Sequence, residues 1–481
     1  MKLTRQFWLH AALALGLTAA APSAGRAESL EDALVLAYGT NPQILAERAT
    51  LEGTNEALPQ ALANWRPTVS VTLSGGKDRN ELNQACSSSS FPQYYQSCFQ
   101  QSFSGGVTPT HLITEQKLYQ STYDVTISQP LYRGGRTMAQ TSEAYNTINA
   151  ERGHFAAVEE QVLLTVVTDY IGVVAQAEIL DLNRENEQIL KKEVDATEQR
   201  YHLGELTHTD LYLAEAAYAE AIANRKNADG QLQVARSTYQ KDVGQWPGDL
   251  VKPEPAPDMP ATRDEAESIA ATAAPSVVQA QYAQQAAEDG VDVVRGQLLP
   301  TITAQADFVK TSDVSNLGLE QTDKRVIAQA TVPIYEGGAI YSQSRAAQKL
   351  VAQRKQELDQ ARRAAVQGTQ QSWEQLKAAR DALADLRHSV EVNDHALKGL
   401  EEEARVGTRT VQDVLIQQQA VFQAKVNLTG AVYSELQDEF NVVAAVGRLT
   451  ARQLGLKVDL YDADKHLEAV HNKWIGFGTE P

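Results

Sequence analysis

The chain is one unit written twice, and the spacing of its prolines and glycines shows it. Pro42 in Asn41-Pro42-Gln43 recurs as Pro275, and Pro67 in Arg66-Pro67-Thr68 recurs as Pro300 in Leu299-Pro300-Thr301, both at an offset of 233. Further along the offset falls to 203. Pro130 in Gln129-Pro130-Leu131-Tyr132-Arg133-Gly134-Gly135 pairs with Pro333 in Val332-Pro333-Ile334-Tyr335-Glu336-Gly337-Gly338, and Gly204, Asp210 and Gly244 pair with Gly407, Asp413 and Gly447. The first copy therefore carries 30 extra residues between Pro67 and Pro130. The copies occupy 28–246 and 264–455. A connector, 247–263, holds Pro247, Pro253, Pro255, Pro257 and Pro260, and a tail runs over 456–481. Both copies have to find the same fold, so every local pattern must make sense twice.

Residues 1–27 read as a secretory leader. Lys2 and Arg5 precede the apolar stretch from Phe7 to Ala21, and Gly25-Arg26-Ala27 supplies small residues at −3 and −1 of a cut before Glu28. Loss of Lys2, Arg5 and Arg26 takes the net charge from −18 to −21. That acidity is spread along the chain and excludes nucleic acid as a partner, since phosphate binding needs a basic face. Beyond the leader no uninterrupted apolar run of about 18 residues exists, which excludes a polytopic helical membrane protein. No cysteine follows the predicted cut, so a lipid-anchored mature N-terminus is not expected.

Within each copy the hydrophobic period changes. Val69, Val71 and Leu73 alternate with Thr68, Ser70 and Thr72, and Tyr123, Val125 and Ile127 alternate with Asp124, Thr126 and Ser128. The second copy repeats the pattern with Ile302, Ala304, Ala306 and Phe308, then with Val326, Ala328, Ala330 and Val332. Period two with one apolar face predicts strands, so hairpins are expected over 67–131 and 300–334. Segments of about 10 residues fit tilted membrane-crossing strands and equally a half-buried soluble sheet. Cys86 and Cys98, the two cysteines of the chain, lie in the larger hairpin loop. In an oxidising compartment they are expected to form one disulfide; with His111 they would make only an incomplete metal ligand set.

After each Gly-Gly the period becomes helical, over 136–246 and 339–455, and one helix precedes each hairpin. Leu376, Leu383, Val390 and Leu397 are seven apart; Val173, Leu180, Val194 and Tyr201 take the matching slots, with Glu187 in the gap. Past Gly407, Val411, Leu415, Phe422, Val426, Tyr433, Leu436, Phe440 and Val443 continue at helical spacing. Sustained heptads on antiparallel neighbours predict helix-on-helix seams. Four strands do not close a barrel, and symmetric copies are the way to remove their open edges. Three protomers would supply twelve strands, an even number within the range of outer-membrane barrels; dimers or tetramers would also close.

These features together, above all Val406-Gly407-Thr408-Arg409-Thr410-Val411-Gln412-Asp413-Val414-Leu415 and its weaker counterpart Leu203-Gly204-Glu205-Leu206-Thr207-His208-Thr209-Asp210-Leu211, resemble the TolC family of outer-membrane channel-tunnels. The resemblance covers essentially the whole mature chain. It implies a mainly α protein with a membrane β-barrel: a homotrimer whose twelve-stranded barrel sits in outer-membrane lipid of a Gram-negative bacterium and continues into a long periplasmic α-helical barrel. It further implies a passive exit duct for type I protein secretion or multidrug efflux, working with a periplasmic adaptor and an inner-membrane ABC or RND transporter. The connector and the tail would form an equatorial belt. No cofactor is expected.

The resemblance also implies a gate at the tip turns Gly204 and Gly407. Asp413 would point into the aperture, three copies making a carboxylate ring. The family's second aspartate is replaced by Ile416, so a hydrophobic collar is expected above a single ring. Arg409 matches the arginine that locks neighbouring coils, with Thr209 and Asp210 as acceptors; the plainer alternative is an i,i+4 pair with Asp413. Ala404 stands where the family has a locking tyrosine. An enzyme is disfavoured, since neither HExxH nor Gly-x-Ser-x-Gly occurs and Glu401-Glu402-Glu403 reads as a solvated charge run. The rival of another class is a soluble periplasmic coiled-coil scaffold or adhesin, which accounts for the heptads but not for the hairpins.

Overall fold

Four pairs of glycines set the corners of both copies with the same left-handed backbone. Gly134 and Gly337 have φ of 63°, Gly135 and Gly338 of 74° and 80°, Gly204 and Gly407 of 79° and 82°, and Gly244 and Gly447 of 96° and 77°. The computed structural model describes residues 28–85, 111–313, 318–476 and 478. The leader 1–27 and the expected Cys86–Cys98 bridge lie outside the described residues.

The first copy opens with α1 (Leu30–Thr40), α2 (Pro42–Asn55) and α3 (Ala57–Ala63), three helices where the sequence pattern gave one. Asn41 makes the first break. It ends α1 in extended backbone and caps α2, its side chain accepting from the Gln43 N–H, while Pro42 fills the first helical position where no N–H is needed. Next come β1 (Thr68–Ala85), β2 (His111–Arg133), α4 (Arg136–His202) and α5 (His208–Val243). The second copy contains α6 (Arg263–Ala273), α7 (Pro275–Arg295), a 3-10 turn at 296–298, β3 (Thr301–Ser312), β4 (Glu320–Thr331), α8 (Ala339–Arg405) and α9 (Val411–Ala445). A short helix, α10 (Ala463–His471), lies in the tail and carries no signal in the repeat.

The strands form one antiparallel sheet in the order β1-β2-β3-β4, with β1 and β4 as unpaired edges. Register puts Val69, Ile127, Ala306 and Val326 in one cross-strand row and Ser70, Thr126, Asp307 and Arg325 in the next. Because neighbouring rows face opposite ways, one face is mainly apolar and the other mainly polar, with Lys324 on the first and Val309 and Ile327 on the second as exceptions. Val326 is 83% exposed within the protomer, as a lipid-facing side chain should be. On the polar face Arg325 donates to Asp307 at 2.8 and 3.1 Å, and Thr126 and Gln305 bond the same carboxylate. Pro130 sits inside β2 at a register shift, the place a strand tolerates a missing N–H, whereas Pro333 falls just beyond β4. Pairing of β1 with β2 continues to Ala85–His111, ten pairs past the last residue of β3. The 30 extra residues of the first copy therefore lengthen this ribbon and its loop.

Helices α4 and α8 are each 67 residues long, about 100 Å at 1.5 Å per residue. An 18-residue window of α4 is apolar enough to cross a membrane by composition, but this stretch lies in the main core. That core sits partway along the helices, where Val162–Tyr170 of α4 meet Leu34 and Ile44, Tyr239 and Val243 of α5, and Tyr433–Val443 of α9. The gap left by Glu187 in the heptads is closed by an ion pair with Arg225 on α5. The connector is fastened to the same level by Glu28. Its N–H donates to the Asp249 carbonyl at 3.0 Å, and its carboxylate accepts from Tyr239 Oη at 2.6 Å and from the Gly248 N–H at 3.2 Å. At the edge of the same core, the chain turns away from α9 where Glu159 and Glu160 of α4 accept from the Ala451 and Leu449 N–H groups.

Candidate functional site: the paired helical tips

Where α4 and α8 end, farthest from the strands, the chain makes two turns of the same construction. At the first, the Gly204 N–H donates to the Tyr201 carbonyl and the Glu205 N–H to Arg200; at the second, Gly407 donates to Ala404 and Thr408 to Glu403. This six-to-one plus five-to-two pattern needs a left-handed residue, which is why glycine holds both corners. The outgoing helices then start with the same reciprocal cap. Asp210 Oδ2 accepts from the Thr207 N–H at 2.9 Å and Oγ1 at 2.7 Å; Asp413 Oδ2 accepts from the Thr410 N–H at 3.0 Å and Oγ1 at 2.8 Å. Those bonds hold both carboxyls below the usual carboxylate range, with the fields of Arg200 and Arg409 adding to the effect. Both aspartates are thus ionised near neutral pH and built into the turn. Their capping role follows from the Thr-x-x-Asp spacing, which was legible in the sequence.

Arg409 does not pair with Asp413 as the i,i+4 alternative has it. Its Nε donates to Glu403 Oε2 at 2.9 Å across the turn, and Glu402 pairs with Arg405 at 3.2 Å, so the acidic run is engaged and not merely solvated. Within one protomer Thr209 and Asp210 are not brought to Arg409. The first turn carries the reversed pair, Arg200 Nε to Glu205 Oε2 at 3.3 Å. It also has an aromatic clasp that the second lacks: His208 stands edge-on to Tyr201 at 5.1 Å and to Tyr212 at 4.2 Å, where the second copy has Val411, Ala404 and Leu415. Ile416 is 62% exposed and lines a cleft of about 400 Å³ between the two helical hairpins, with Leu190, Leu213, Glu220, Gln412 and Leu415. Among the described residues no group of three or more His, Cys, Asp or Glu is placed to hold a metal.

A duplicated protomer with an open, two-faced sheet at one end and, at the far ends of two equal helices of about 100 Å, a pair of capped tips is one wall segment of an outer-membrane channel with a helical tunnel. The chain belongs to the outer membrane efflux protein family, whose profile matches residues 33–244 and 268–448, one segment per copy. It is 29% identical over 471 residues to the outer membrane efflux protein BepC of Brucella suis biovar 1 (strain 1330), covering 98% of this chain and 96% of BepC. It is 25% identical over 463 residues to the outer membrane protein TolC of Escherichia coli (strain K12), covering 90% of this chain and 85% of TolC. The solved Campylobacter jejuni CmeC outer membrane channel shares the fold at a TM-score of 0.71 and 14% identity, over 92% of this chain and 89% of that one. The protein is accordingly a trimeric outer-membrane efflux channel extending into the periplasm, a passive conduit and not an enzyme. Family membership also removes the soluble scaffold or adhesin as a reading.

Proposed function

We propose that the paired tips are the periplasmic gate of this channel, with Asp413 as a ring of three carboxylates and Ile416 as an apolar collar above it. The carrying observation is that Asp413 is kept ionised at the tip by Thr410, with Oδ1 making no hydrogen bond among the described residues. Three such charges around a narrow water-filled opening focus negative potential and draw in cations. In planar bilayers divalent cations are expected to block the trimer from the periplasmic side, more weakly than a double carboxylate ring would, and Asp413→Ala to relieve that block. Unchanged block would refute the ring. The alanine also removes a cap, a local cost of about 1 kcal/mol.

Arg409 supplies the lock by bonding Thr209 and Asp210 of an adjoining coil, a charge-assisted contact that biases the closed state. Arg409→Ser is expected to raise the conductance of the closed channel several-fold, and an unchanged value would remove the lock. Energy comes from an inner-membrane ABC or RND transporter coupled through a periplasmic adaptor. The duct then serves type I protein secretion, multidrug efflux or both. Deleting the chain and assaying secreted proteins beside drug susceptibility separates these cargo classes.

A further inference from the structure

We propose that Glu403 is an in-turn competitor for Arg409, so that the strength of this one ion pair sets how firmly the tip closes; the proposal rests on the lock described above. Three observations carry it. Glu403 is fixed by the turn itself, since its carbonyl accepts from the Thr408 N–H at 2.9 Å and from Thr408 Oγ1 at 2.8 Å. Its main chain is thus set on the near side of the corner, and its carboxylate takes the Arg409 Nε–H at 2.9 Å. One acceptor of the lock is itself partly committed, since Asp210 spends Oδ2 on Thr207.

A guanidinium folded back on Glu403 has part of its charge neutralised within its own turn and its side chain drawn away from any adjoining coil. On this proposal, reaching the adjoining coil swings the whole side chain off Glu403, although only its Nε–H is spent there. The open tip keeps the internal pair and the closed tip trades it for the external one. Both partners of the internal pair are half exposed, so the competition is modest and sensitive to salt. Glu403 is thus a positioning residue of the gate, and it acts in the direction opposite to Arg409.

Purified full-length trimers in planar bilayers test this with four variants. Glu403→Gln is expected to lower closed-channel conductance about two- to fourfold, the range an exposed ion pair allows. Arg409→Ser raises it, and the double variant matches Arg409→Ser alone, because Glu403 has nothing left to compete for. Glu403→Asp, which keeps the charge, stays near the parent. The Glu403→Gln effect shrinks between about 0.1 and 1 M KCl as the Debye length falls. If Arg409→Ser raises conductance while Glu403→Gln leaves it unchanged or raises it, Glu403 is inert or steadies the lock, and the competitor is overturned with the lock standing. If Arg409→Ser changes nothing, lock and competitor fall together.

Discussion

Gly134→Ala is expected to abolish the heat-resistant trimer, whereas Gly337→Ala leaves most of it assembled. The two glycines are equivalent by repeat and share a φ of 63°, so alanine meets the same left-handed strain at both, about 1–2 kcal/mol. Their surroundings differ. A Cβ at Gly134 would lie 2.3 Å from the Gly296 carbonyl oxygen and 2.8 Å from Leu299 Cβ, while at Gly337 nothing stands within 4 Å in the protomer. The obstacle at Gly134 is main chain at the 3-10 turn that leads into β3. Relief requires the junction between β2 and α4 to separate from the one before β3, a further cost of about 3 kcal/mol or more. Gel mobility of unheated membrane extracts and the thermal midpoint of the purified trimer measure both variants. Equal losses at the two positions would show that the Gly134 contact has no such role.

Raising the pH from about 5 to 9 is expected to lower the thermal midpoint, with Glu160→Gln removing much of the slope. Burial beside the turn that follows α9 pushes the Glu160 carboxyl up to about 8. The Leu449 N–H works against that shift and the charge of Glu159 adds to it. Glu159 is raised for the same first reason. Asp169 on α4 is pushed up to about 7 by burial and by the carboxyl of Asp242 on α5 facing it. In each case the folded chain holds a proton that the unfolded chain gives up near its ordinary value. The stabilisation is therefore complete below about pH 4.5, fades as pH rises, and is gone for Glu160 above about 8. At about 1.4 kcal/mol per pH unit, Glu160 alone contributes on the order of a few kcal/mol per protomer. Parallel pH curves for the parent and Glu160→Gln would rule this out.

The parts of the molecule that follow a period were readable in advance. Alternation in Val69–Leu73 and Ile302–Phe308 located the strands, and the register then put their apolar rows on one face. Heptads such as Leu376–Leu383–Leu397 located buried seam positions, and all three are buried. What escaped is held by single contacts between distant segments, which leave no periodic trace. Glu28 fastening the connector, Glu159 and Glu160 fastening the turn after α9, and Glu403 reaching back to Arg409 are of this kind. The break at Asn41 was visible as Asn-Pro, yet a Pro at a first helical position can start a helix as easily as end one, and here it does both.

The matched 67 residues of α4 and α8 also constrain how this lineage changes length. Losing one residue from α4 alone would swing everything beyond the deletion by about 100° and shorten that rod by about 1.5 Å, drawing Gly204 out of level with Gly407. A change in rod length that keeps the two tips matched therefore has to fall in both copies, whereas the one large difference between the copies, the 30 extra residues of the first hairpin, leaves the rods untouched.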